Sequence, residues 1–476
     1  MQRRRQPARK CKRRRVSQTA SAKQKAPPQA AKSPPQAAPQ AQASAKSRRT
    51  VVVSQHDMLS YNHRLALAAH FMQQRTLSVA SSMSASPKCT MRKDDRFLDE
   101  LDIQWAKGGA DKASASASVV IDAILRAAGN PHVFIKLAFG TRKDALYYER
   151  LIYCKVTQKL LTLRYTPCIV PFIGYVQIHN NIAERCIIER STAVPTSSSK
   201  LCVAIAALLK SKGVRADDLS VGHALITEVN TGTTLGEWLQ QPRTVEDWEQ
   251  VYFQLIYTLQ CFAEIGLTHW DLHSGNAFVE MLPTPVASVW CLGNGVYKHM
   301  RSRWLLKIYD FDRSSKLAAP LAPGLEEPVS NRAMETERWM SIYGDRSIFD
   351  PHVDYARVTV SVMHHPEQIP LATRRLLHDS VAPLLTRAVE KTLSHSGTLC
   401  YKSSNFFNSD CLVDPARSAT LCQSPRRLID ARSKLLGSLS TSSKDTIQFI
   451  RSNNVPTATH VFALPMAVAD RVRLFH

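Results

Sequence analysis

The sequence predicts an α+β fold, and three observations lead there. Strand-type apolar runs, His132–Leu137 and Ala224–Asn230, come early. Helical spacing dominates later, most clearly from Trp248 to Ile265, and strands followed by helices suit an α+β layout. The composition, 44% hydrophobic and 21% charged, is that of a globular chain with enough length for two or three domains' worth of core.

Taken in order, Phe97–Trp105 leads into Gly108-Gly109-Ala110, the small-residue run Ala113–Ser118 and an apolar segment from Val119. This reads as strand, loop, strand. In His132-Val133-Phe134-Ile135-Lys136-Leu137 a lysine is embedded among apolar residues, which is costly unless a partner neutralises it. The stretch Asp144–Leu161 places Leu146, Glu149, Tyr153 and Val156 at helical spacing, so Glu149 is the expected partner. Pro167–Val176 reads as a turn into a strand, and a Ser-rich segment near Thr196–Lys200 as exposed. The strand Ala224–Asn230 runs into Thr231–Leu239, which opens a helix. The later helix carries Val251, Leu255, Leu259 and Phe262 on one face and ends at Gly266. A helical stretch at 65–74 has no functional signal.

The chemistry concentrates in His269-Trp270-Asp271-Leu272-His273-Ser274-Gly275-Asn276 and Ile308-Tyr309-Asp310-Phe311-Asp312. Phosphoryl transfer from ATP needs a carboxylate beside the attacking hydroxyl and oxygen ligands that hold magnesium against the phosphates. Asp271 suits the first task, and Asn276 with Asp310 the second.

These segments resemble the H-R-D-L-x-x-x-N loop and D-F-G motif of the protein-kinase-like superfamily, here similar to divergent Ser/Thr protein kinases of large DNA viruses. The resemblance implies a bilobal fold, with a small β-rich N-lobe and a mostly helical C-lobe, and the cofactors ATP and Mg2+. It makes Lys136 the lysine that binds the α- and β-phosphates and pairs with Glu149. Thr227 becomes the gatekeeper before the adenine-binding hinge residues Glu228 and Val229. Gly108 and Gly109 stand where a glycine-rich hairpin covers the phosphates, although G-x-G-x-x-G is absent and an ordinary loop reads equally well. His269 is expected to pack in the core and hydrogen-bond backbone near Asp310, and Phe311 to pack between lobes. Asp354 is expected to hold the backbone of the catalytic loop.

The chain departs from the pattern in several places. Trp270 replaces the usual Arg, so activation through a phosphorylated loop is not expected. His273, counted among the catalytic candidates, replaces Lys, and Asp-Leu-His-Ser-Gly-Asn looks like aminoglycoside- and choline-kinase-like phosphotransferases. Asp312 replaces Gly and adds a carboxylate near the metals. Asn276 and Asp310 are far apart, which implies an enlarged hairpin insertion at 281–305. Glu326-Glu327-Pro328 is a poor substitute for A-P-E.

The formal charge of +23 resides mostly in a tail. Residues 1–50 carry fifteen Lys and Arg and no Asp or Glu, leaving about +8 on the other 426 residues (62 − 15 − 39). That segment is expected to be disordered and to serve nuclear import or non-specific nucleic-acid contact, or simply solubility. It lacks aromatic residues for base stacking. The longest apolar run, Leu201–Leu209, is nine residues, so no membrane partner is expected. The eleven scattered cysteines suggest free thiols in a reducing compartment, and the chain reads as intracellular, nuclear where the tail targets it.

The expected organisation is a basic tail at 1–50, an N-terminal extension at 51–94, an N-lobe at 95–230, a C-lobe at 231–390 and a C-terminal extension at 391–476. The expected function is ATP- and Mg-dependent transfer to Ser/Thr hydroxyls of a protein substrate that the sequence does not identify. A small-molecule phosphotransferase and a pseudokinase scaffold are the alternatives.

Overall fold

A computed structural model of the chain describes residues 92–93, 97–108, 118–125, 132–139, 143–178, 200–206, 221–293, 296–316, 351–363 and 461–464, with isolated positions 369, 371, 374 and 377. The chain divides into two units, Met1–Arg49 and Thr50–His476, and all described residues belong to the second. The basic tail, the helical stretch 65–74, the Ser-rich segment 196–199 and Glu326–Pro328 lie outside the described residues. The fold is mixed α/β.

The first sheet contains β1 (Arg92–Lys93), β2 (Leu101–Gly108), β3 (Ser118–Leu125), β4 (His132–Phe139), β5 (Phe172–Ile178) and β6 (Gly222–Glu228). Its order is β1-β5-β6-β4-β3-β2, antiparallel except where β1 meets β5. Period-two alternation sets its faces. Val119, Ile121, Ala123 and Leu125 of β3 are buried, with the residues between them half-buried. Val133, Ile135 and Leu137 of β4 join them in one hydrophobic cluster with Phe97 and Ile226. Lys136 has the opposite parity, so it faces the other side of the sheet.

On that other side lies α1 (Lys143–Ile152), which continues through a π turn, Tyr153–Thr157, into α2 (Gln158–Thr162). Leu146, Ile152, Tyr153, Val156 and Leu160 are buried there in a second, larger cluster. Among the described cysteines, Cys168, Cys202, Cys261 and Cys291 are buried free thiols, whereas Cys154 is disulfide-bonded, contrary to the expectation of thiols throughout.

After β6 come β7 (Thr233–Thr234), α3 (Leu235–Trp238), α4 (Val245–Ile265) and β8 (Leu267–Thr268). The Thr244 side chain accepts from Asp247 N–H while the Asp247 side chain accepts from Thr244 N–H, a capping box that fixes the start of α4. Gly266 ends it at φ 73°.

The expected insertion is a long antiparallel hairpin, β9 (Ala277–Gly293) with β10 (Val296–Ile308), in which Ala277 pairs with Ile308. It packs on α4: Trp290 meets Tyr257 at 4.8 Å and Phe253 at 5.6 Å between ring centroids. Gln254, buried on α4, donates to the Trp304 carbonyl at 2.8 Å and accepts from Leu306 N–H at 3.0 Å. It thereby satisfies backbone on β10, the outer strand of this sheet. A short strand β11 (Ser315–Lys316) pairs with β8, α5 (Pro351–Val362) follows, and β12 (Val461–Ala463) adds in parallel to β9. The stretch 231–390 was expected to be mostly helical. Among its described residues strands and helices share it, because the hairpin is larger than the 281–305 insertion.

Candidate active site

The strand register delivers the site. Lys136 stands at the centre of the first sheet, opposite Val120 on one side and Leu225 on the other. Its Nζ lies 3.0 Å from Glu149 Oε2 on α1 and 2.7 Å from Asp310 Oδ1, with Asp312 Oδ2 at 3.6 Å. One lysine therefore joins carboxylates 13 and 174 positions away in sequence.

The hairpin explains how Asp310 reaches the loop around Asp271. With Ala277 paired to Ile308, residues 276 and 309 meet at the open end of the ladder. Tyr309 N–H donates to the Asn276 carbonyl at 3.2 Å, the Tyr309 hydroxyl donates to the Gly275 carbonyl at 2.7 Å, and the Phe278 and Tyr309 rings stack at 4.4 Å. The long gap between Asn276 and Asp310 is thus closed by strand pairing.

Two of the three positive-φ non-glycine residues among those described sit here: Trp270 at 64° and Asp310 at 65°. Each left-handed residue costs on the order of 1–3 kcal/mol, so surrounding contacts must hold it, and such strain clusters at working sites. Asp354, in the first turn of α5, accepts from His269 N–H at 2.6 Å and Trp270 N–H at 2.8 Å. Trp270 Nε1–H donates to Ser315 Oγ at 2.7 Å. His269 is fully buried, its Nε2 lies 2.9 Å from the Tyr309 carbonyl, and its ring lies 4.9 Å from Phe311. Phe311 is buried between Tyr153 of the π turn and Phe262 of α4. His269 and Asp354 therefore make the backbone contacts expected of them.

Asp271 is held by two arginines. Arg357 Nη2 lies 2.5 Å from Oδ1 and Arg313 Nη1 lies 2.6 Å from Oδ2. Asn276 Nδ2 donates to the Asp271 carbonyl at 2.9 Å, joining the two ends of the loop. His273 folds back on the loop and accepts from Gly275 N–H through Nδ1 at 3.0 Å. A Cβ on Gly275 would lie 2.8 Å from Cε1 of His273, so this fold-back needs glycine there. Burial holds the His273 imidazole below the usual histidine range, so it is neutral at neutral pH and supplies no lysine-like charge.

At the end of β6, Thr227 is buried opposite Phe134. Glu228 N–H donates to the Pro171 carbonyl at 3.1 Å, and its side chain meets the fully buried Lys307 at 3.0 Å. Lys307 also meets Glu280 at 2.7 Å, and Thr231 donates to Glu280. The Glu228 carboxylate therefore ties this segment to the hairpin. Val229 is half-buried. Gly108 ends β2 opposite Val119, while Gly109 lies outside the described residues.

Buried Glu149 and half-buried Asp310 and Asp312 share one lysine, and the electrostatics record it. Burial opposes the charge on Lys136, but Asp310, Glu149 and Asp312 outweigh it and raise the lysine well above its ordinary range. Burial pushes Glu149 up to about 8 against the pull of Lys136. Burial and the adjacent Asp310 raise Asp312, while Lys136 overcomes burial to lower Asp310. Asp310, Asp312 and Asn276 carry oxygen donors of the kind a hard divalent cation prefers. Among the described residues no group of three or more His, Cys, Asp or Glu is arranged to hold a metal ion. Among the same residues no helix is long and apolar enough to cross a membrane.

Arg313 and Arg357 escaped the sequence reading. Arg357 had a signal. Asp354, Arg357 and Ser361 form a polar stripe at helical spacing on a helix whose Tyr355, Ala356, Val358, Val360 and Val362 are all buried. Comparison of the sequence with models of known protein families and with curated proteins yields no match.

Proposed function

We propose that the chain is an ATP- and magnesium-dependent phosphotransferase on a bilobal, protein-kinase-like fold, acting on Ser/Thr hydroxyls of proteins. The observation that carries this reading is Lys136 bridging Glu149 and Asp310 beside the Asp271–Asn276 loop. Support also comes from the strand order β2-β3-β4-β6-β5, with α1 inserted between β4 and β5. In this reading Lys136 grips the α- and β-phosphates and Glu149 holds Lys136 in place. Thr227, Glu228 and Val229 line the base, Gly108 and Gly109 approach the phosphates, and Asp271 orients the acceptor hydroxyl. Asp310 and Asn276 would hold magnesium, which would neutralise phosphate charge. The hydroxyl oxygen bonds to the γ-phosphorus, the bond to the ADP oxygen breaks, and the hydroxyl proton leaves toward Asp271 and solvent.

A small-molecule acceptor is the second reading, favoured by the neutral His273 where protein kinases carry lysine. A pseudokinase scaffold is disfavoured by retention of Lys136, Asp271, Asn276 and Asp310 together. We assign residues 1–50 to nuclear import or nucleic-acid contact. Radiolabelled ATP and magnesium, offered with casein, histone and hydroxylated metabolites, test the function. Label on protein supports the first reading, label on metabolites alone the second, and no label with any acceptor refutes both.

A further inference from the structure

Asp271 is the residue on which acceptor orientation rests, yet the contacts that orient it come from elsewhere in the chain. One face of α5 grips the loop at three points spaced along the helix. Asp354 accepts from His269 and Trp270 N–H. Three positions on, Arg357 donates to the Trp270 carbonyl at 3.3 Å and to Asp271 Oδ1 at 2.5 Å. Four further on, Ser361 Oγ accepts from Ser274 N–H at 2.9 Å and bonds its hydroxyl at 2.8 Å. The second Asp271 oxygen meets Arg313, which follows Asp310 in the metal-side turn. Arg357 is 8% exposed, so its charge is desolvated and its geometry fixed by packing. A planar guanidinium reaches a carbonyl and a carboxylate at once, which an ammonium does not.

We propose that Arg357 is a positioning residue for phosphoryl transfer. It fixes the carboxylate of Asp271 from α5, with Arg313 steadying the other oxygen from the metal side. The inference rests on the reading of Asp271 as the acceptor-orienting carboxylate. It goes further by placing the control of that carboxylate on a helix 86 positions downstream.

The test is a double-mutant cycle of Arg357→Met and Asp271→Asn in the full chain, read as transfer from radiolabelled Mg-ATP to dephosphorylated casein and to histone. Arg357→Met lowers kcat about 10²-fold, the scale of a misplacement near 1 Å, and leaves KM for ATP unchanged. On the Asp271→Asn background the same change has no further effect on the residual rate, because Arg357 acts through the carboxylate already removed. An equal loss on both backgrounds overturns the proposal and leaves the functional reading standing. Wild-type turnover of Asp271→Asn overturns both. Where circular dichroism finds Arg357→Met unfolded, Arg357→Lys takes its place in the cycle. It retains the buried charge, loses the two-point grip, and is read against the same outcomes.

Discussion

Replacing Lys136 with Met separates the two carboxylates it serves, because they titrate on opposite sides of neutrality. At 3.0 Å and an effective dielectric constant near 20, a charged Lys136–Glu149 pair is attractive by about 5 kcal/mol before desolvation is counted. Glu149, however, is raised to about 8, far above its value of about 4.3 in an unfolded chain. Between those values the folded protein holds a proton that the unfolded chain lacks, so the contribution of Glu149 to stability falls as pH rises through that window. At pH 6 the Lys136–Glu149 contact is therefore a hydrogen bond to a neutral acid, worth about 1 kcal/mol. At pH 9 it is a buried ion pair, and removing one partner costs about 3–5 kcal/mol.

Asp310 behaves oppositely. Lys136 lowers it, so its stabilisation is present above its unfolded value and is lost only as pH falls through the folded one. Lys136→Met, Glu149→Gln and Asp310→Asn, alone and paired, are to be unfolded in urea at pH 6 and pH 9. The expected coupling of Lys136 to Glu149 is about 1 kcal/mol at pH 6 and about 3 kcal/mol at pH 9, whereas coupling to Asp310 is large at both. Equal Glu149 coupling at the two pH values refutes the charge assignment, and additivity with both carboxylates refutes the cluster itself.

Asp310→Asn keeps the shape but loses the charge that holds a divalent cation, and turnover in saturating Mg-ATP should fall about 10²–10³-fold with circular dichroism unchanged. Asp354→Ala leaves His269 and Trp270 N–H unpaired in the interior beside a left-handed Trp270; thermal unfolding should report a loss of about 3 kcal/mol or more. Deleting residues 1–50 removes fifteen positive charges, so salt-sensitive binding to duplex DNA should weaken in a filter-binding assay while transfer to casein is retained. Loss of transfer would place the tail within the catalytic unit.

What was legible in the sequence and what was not divide along a physical line. Lys136 could be found because a charge inside a strand needs a partner, and Glu149 because helical spacing put it within reach. Asp271, Asn276 and Asp310 stood out because their order resembles a known motif, and strand pairing brings Tyr309, beside Asp310, onto Asn276. The hairpin was legible as an insertion at 281–305 but not in its full extent: a ladder from Ala277–Ile308 outward costs the site nothing, since both ends return to the same place. Arg313 stayed hidden because an arginine announces its partner only through three-dimensional approach, and the polar stripe that marks Arg357 does not name its partner. Glu228 was expected to matter through its backbone, but Lys307 turned its side chain toward the hairpin, a pairing across 79 positions that no local pattern encodes. The same holds for β12, where three residues from the far end of the chain extend the hairpin sheet and set Phe462 against Trp290 at 4.8 Å. Motif residues can be read one at a time because a resemblance carries each of them. The residues that aim them are constrained only by the packed fold, and α5 holds three of them because one rigid helix face can hold a strained loop at several points at once.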